Sequence, residues 1–75
     1  MGKFWYKIRI NANLDYYVFC TPDEMVTLLA LINGDLKPPH VRGARKIHWK
    51  NAERPDAMLH KSGARTLDWL IDHYK

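Results

Sequence analysis

Lys3-Phe4-Trp5-Tyr6-Lys7-Ile8-Arg9-Ile10, then Asn11-Ala12-Asn13, then Leu14-Asp15-Tyr16-Tyr17-Val18-Phe19-Cys20 is the stretch whose reading decides the fold. Side chains on a β-strand alternate between two faces. In the first run Phe4, Tyr6, Ile8 and Ile10 share one face, with Trp5, Lys7 and Arg9 on the other. In the second run Leu14, Tyr16, Val18 and Cys20 form one set, with Asp15, Tyr17 and Phe19 the other. Both runs are rich in aromatic and β-branched residues, which suit a pleated surface. The spacing predicts a β-hairpin.

Asn tolerates the backbone conformations of tight turns, so Asn11-Ala12-Asn13 reads as a three-residue loop. That loop sets Ile10 opposite Leu14, Ile8 opposite Tyr16, Tyr6 opposite Val18 and Phe4 opposite Cys20. The second face then pairs Arg9 with Asp15, Lys7 with Tyr17 and Trp5 with Phe19. A two-residue loop sets Ile10 against Asp15, and a one-residue slip sends a whole side-chain set to the wrong face. The three-residue loop is therefore expected. The first face is the core. The second carries Trp5, Lys7, Arg9, Tyr17 and Phe19, and the sequence leaves open whether it is bare or covered.

Beyond the hairpin, Thr21-Pro22-Asp23-Glu24 is a helix start: Thr21 caps, Pro22 takes the first helical position and Glu24 completes a capping box. Asp23 and Glu24 also suit the positive end of the helix dipole. Met25, Leu28, Leu29 and Ile32 form one stripe. Val26, Ala30 and Leu31 widen it, which predicts burial over much of the circumference. Asn33-Gly34 ends the helix. Pro38-Pro39 enforces an extended path. Arg45-Lys46-Ile47-His48-Trp49-Lys50 predicts a third strand, with Ile47 and Trp49 toward the core and Lys46, His48 and Lys50 outward. Residues 51–56 read as a turn-rich loop, and residues 57–61 as either an edge strand or a helical turn. Leu67, Leu70, Ile71 and Tyr74 then recur at i, i+3, i+4, i+7, the stripe of a last amphipathic helix. Trp69 and His73, four apart, share its flank. The expected architecture is α+β in the order β-β-α-β-α. It has an antiparallel or mixed sheet, an N-terminal hairpin and two helices packed on one face, in a single domain over residues 1–75.

At 75 residues a chain buries only about 60–65% of its unfolded surface, so its core is small and its stability modest. The composition, 47% hydrophobic, is that of a globular fold rather than a disordered one. No secretory signal or apolar run of bilayer-spanning length is evident. The single cysteine, Cys20, stands on the core face, which points to a reducing, cytoplasmic setting. The net charge of +4 is concentrated. Residues 37–50 hold Lys37, Arg42, Arg45, Lys46 and Lys50 without an acid, and such a basic segment favours an acidic or phosphate-bearing partner.

Catalytic and metal chemistry find no pattern. His40, His48, His60 and His73 stand apart in the sequence, whereas a zinc site needs about four converging ligands. Cys20 has no adjacent base, and Ser62-Gly63 lacks the surroundings of a nucleophile elbow. Gly43 and Gly63 are isolated, so no phosphate-binding glycine loop is present. No cofactor is expected, and the protein reads as a non-enzyme.

What remains is a surface. Trp5, Lys7, Arg9, Tyr17 and Phe19, joined by Arg42, Arg45, Lys46, His48 and Lys50, are the candidate contact residues. Trp, Tyr and Arg are common interface anchors. The first expectation is a small non-catalytic protein-binding module that inhibits a nucleic-acid-handling host or defence protein through an acidic or phosphate-binding surface. In size and composition alone it resembles the small stand-alone proteins of phages and mobile elements. Direct binding of single-stranded RNA or DNA by the same face, with stacking on Trp5 and Tyr17, is the alternative. A homodimer burying the aromatic face is a third possibility, and no membrane partner is expected.

Overall fold

The structure is a computed structural model that describes residues 2–47 and 60–75. Strands β1 (Phe4–Asn11) and β2 (Leu14–Cys20) form the hairpin. Helix α1 spans Pro22–Asn33, strand β3 spans Ala44–Lys46 and helix α2 spans Leu67–Tyr74. The sheet has the order β2-β1-β3, and both pairings are antiparallel. This is the expected small α+β fold in the order β-β-α-β-α.

All the expected pairs from Phe4↔Cys20 to Arg9↔Asp15 form. The turn differs from expectation. Asn11, not Ile10, pairs with Leu14, so the loop is Ala12-Asn13 and an irregularity falls between Arg9 and Asn11. A bulge inserts one residue into one strand. It absorbs the register shift that would otherwise have moved every side chain to the wrong face. The Asn11 Oδ1 accepts from the Asn13 N–H at 2.8 Å and closes the turn locally.

Helices α1 and α2 both cover the core face. Ile8, Val18, Cys20, Leu28 and Leu70 are fully enclosed there, with Tyr6, Tyr16 and Met25 around them. Burying a side chain such as Leu28 or Leu70 contributes about 1.5–3 kcal/mol. The α1 capping box forms as read: Thr21 Oγ1 accepts from the Glu24 N–H at 3.1 Å, and the Thr21 N–H donates to Glu24 Oε1 at 2.9 Å. The bond from the Thr21 N–H to the charged carboxylate holds Glu24 below the usual carboxylate range. Met25 and Leu28 are buried, with Leu29 and Ile32 partly so, but Val26 is 68% exposed and Ala30 is exposed too. The apolar stripe of α1 is thus narrower than expected, because one small sheet meets only one side of the helix.

In β3 the facing is inverted relative to expectation. Lys46 pairs with Tyr6 and Ala44 with Ile8, on the core face; Arg45 pairs with Lys7 on the second face. Lys46 Nζ sits 3.6 Å from the centre of the Phe4 ring, a cation–π contact at the sheet edge. Ile47, expected in the main core, packs instead against Trp5 and Tyr17, and its N–H donates to the Trp5 carbonyl at 2.9 Å. An isolated run of alternating residues does not say which set faces in; pairing with β1 decides it. His48, Trp49 and Lys50, the loop at 51–56 and most of the undecided segment 57–61 lie outside the described residues.

Candidate functional site

The second face divides in two. At one end Trp5 and Tyr17, 5% and 8% exposed, form a small core of their own with Ile47 and Ala64. Residues 63–65 run along the outer edge of β2. There the Tyr17 N–H donates to the Gly63 carbonyl at 3.0 Å and the Arg65 N–H to the Tyr17 carbonyl at 2.8 Å, with Ala64 bridged in parallel to Tyr17. Gly63 is buried at φ +90°, and a Cβ there would run into the Asp15 carbonyl oxygen. Only glycine lets the segment approach so closely. Sequence reasoning missed this cover because Ser62-Gly63-Ala64 signals a turn and nothing more.

At the other end the face is open. Lys7, Arg9 and Arg45 surround a depression of about 480 Å³, with Gly43 and Ala44 completing its wall. Among the described residues, chain neighbours aside, no atom lies within 4 Å of where a Gly43 Cβ would stand, so backbone faces the opening. Among the described residues, Asp15 is the carboxylate that pairs with its cations. Arg9 grips it with two hydrogen bonds, Nε to Oδ1 at 2.8 Å and Nη2 to Oδ2 at 3.1 Å. Lys7 Nζ stands 3.9 Å from Oδ2, an ion pair outside hydrogen-bonding distance. The Arg9 bonds, with desolvation opposing them, hold the Asp15 carboxyl below its usual range, and Asp15 in turn raises Arg9. Arg45 is exposed and makes no ion pair among the described residues.

Lys7 and Arg45 stand directly opposite each other in the β1–β3 register. Like charges in that relation destabilise a sheet. Among the described residues, three cations line the depression with one acid beside it, and two of the cations are held side by side by the backbone.

The sequence-predicted contact residues fall in different places. Lys7, Arg9 and Arg45 come together. Trp5 and Tyr17 form the apolar part of the same face, with Tyr17 opposite Lys7 in register. Phe19, 46% exposed and tilted against Trp5 at a ring separation of 5.4 Å, stands at the far end of the face beside Lys3 and Arg65. Lys46 lies on the core side of the sheet. Arg42 is held on the helix side, where Asn33 Oδ1 accepts from its N–H at 2.6 Å and Asn33 Nδ2 donates to its carbonyl at 2.9 Å. His48 and Lys50 are outside the described residues. Gly43, within the expected basic segment, lines the site, and Asp15, which was not among the expected contact residues, stands beside it.

Elsewhere, Cys20 is sealed in the core, and burial pushes its thiol up to about 11. Trp69 stacks on His73 at 4.8 Å and 11° along α2, with the Arg65 guanidinium 5.2 Å from the Trp69 ring. Among the described residues no cluster of three His, Cys, Asp or Glu is placed to hold a metal ion, and no helix is long and apolar enough to cross a membrane. No protein-family model, curated protein or solved structure matches this chain.

Proposed function

We propose that the protein is a non-catalytic binding module of the cytoplasm that docks against an acidic protein surface through Lys7, Arg9 and Arg45. The observation that carries this reading is the opposed Lys7–Arg45 pair over backbone at Gly43. A sheet gains nothing in stability from that pair; a carboxylate-rich partner gains from it through steering and charge-assisted hydrogen bonds. If the partner is a nucleic-acid-handling enzyme, the carboxylates that gather its catalytic metals are the surface of suitable chemistry, and occupying them is inhibition. For direct single-strand binding, Trp5 and Tyr17 are buried, and among the described residues Phe19 is the exposed ring on this face, which favours the protein reading. Of the aromatic face that suggested a homodimer, Trp5 and Tyr17 are covered within the chain and Phe19 is exposed.

The test compares wild type with the Lys7→Glu/Arg45→Glu variant as bait, with and without nuclease, after circular dichroism shows both folded. The expected result is a protein partner that survives nuclease and is lost with the charge reversal. Capture abolished by nuclease would move the function to nucleic acid. Equal capture by both baits would remove the site and direct attention to Trp69 and His73 on α2.

A further inference from the structure

A carboxylate stands beside the depression, on the β2 side of Lys7 and Arg9. Asp15 is gripped by Arg9 through both oxygens, and the same Oδ2 draws Lys7 to 3.9 Å without a hydrogen bond. Two of the five Arg9 donors are therefore committed to Asp15. Lys7 is electrostatically occupied but keeps its three donors uncommitted to Asp15. Arg45 stands opposite Lys7 in register, on the side away from Asp15's strand. An anionic group entering beside Gly43 meets Lys7 and Arg45 first, while Arg9 remains bound to Asp15.

We infer that Asp15 is the resident counter-ion of the site, and that an acidic side chain of the docked protein replaces it at Lys7 and is held between Lys7 and Arg45. Asp15 stays with Arg9 throughout. It shields Lys7 when no partner is present and competes with weakly acidic surfaces, so that only a carboxylate placed to reach Arg45 as well displaces it. This rests on the docking reading above and adds a selectivity element to it. Charge complementarity favours a protein carboxylate over a phosphodiester strand as the source, because the described residues place three cations around one small opening rather than along a track.

The probe is poly-L-glutamate at low ionic strength, where screening is weak, followed by NMR at the Gly43, Ala44 and Arg45 amides and at the Asp15 side-chain carboxyl carbon. In wild type the expected result is a shift of both sets of signals, which needs no variant to fold. Asp15→Asn is expected to bind about five- to tenfold tighter, as loss of a close opposing charge implies. Asp72→Asn, the same change of net charge on the exposed side of α2, is expected to stay within about twofold. The gain from Asp15→Asn should vanish when Lys7→Gln is added, which a double-mutant cycle reads directly. Binding in wild type with no gain in a folded Asp15→Asn variant, or an equal gain in Asp72→Asn, overturns the counter-ion inference and leaves the docking site standing. No shift at all in wild type overturns the docking site itself. Tighter binding of a single-stranded oligonucleotide of matched charge overturns the protein source.

Discussion

The two ends of the second sheet face differ although one alternating pattern produced both. Trp5 and Tyr17 are enclosed by Ile47 and Ala64; Lys7 and Arg9, two and four positions beyond Trp5, and Arg45, two before Ile47, line an opening. Large aromatic rings gain about 25 cal/mol for each Å² removed from water, so chain packs over them. Cations would lose hydration under the same cover and have too few partners to replace it. One face thus becomes a second small core at one end and a charged opening at the other. A strand's outward-facing aromatics are therefore no guide to a binding surface until the rest of the chain is placed.

The largest effect that bears on this contrast is at Trp5. Trp5→Ala should cost about 3–5 kcal/mol in chemical denaturation, a large part of the roughly 4–11 kcal/mol expected for a chain of this length. A docking residue on an open face would instead change stability by less than about 0.5 kcal/mol while abolishing binding. That second outcome would mean the aromatic end is open in solution. Next comes the cover. Gly63→Ala meets both a positive φ and the Asp15 carbonyl, and should cost at least about 1–3 kcal/mol. Faster hydrogen exchange at the Tyr17 amide should accompany the loss, since its partner is the Gly63 carbonyl. Unchanged protection there would detach residues 63–65 from the enclosure of Tyr17.

The smallest effect separates the charged end from the apolar one by pH. The Asp15 carboxyl is lowered by Arg9, so its contribution is fully present above its ordinary value of 3.8 and is lost as pH falls through the lower folded value. Acid titration of stability should therefore show a component at pH below about 4 that is absent in Asp15→Asn. An identical acid profile in the variant would mean that the Arg9–Asp15 contact does not persist in solution.

Much of this fold is legible along the chain. The alternation of residues 4–10 and 14–20 names both faces and six of the seven hairpin pairs, because a half-buried strand has a period of two that few other structures share. The Thr21–Glu24 box and the stripe at Leu67, Leu70, Ile71 and Tyr74 likewise mark helices by local chemistry and period. Three of the expected contact residues, Lys7, Arg9 and Arg45, do gather at one opening.

What only tertiary structure decided is what lies opposite what at long range. A three-residue strand carries too short a pattern to reveal its facing, so Lys46 and Ile47 exchanged sides relative to expectation once β3 paired with β1. The bulge near Ile10 depends on balancing loop geometry against apolar register, two local preferences that only the assembled hairpin reconciles. Trp5 and Tyr17 are covered by residues thirty or more positions away, and no periodicity links residues so distant. Local period and capping are properties of neighbouring residues, and the sequence by itself determined those; the division of one face into a core and a charged opening is a property of contacts between distant segments, and belongs to the folded chain alone.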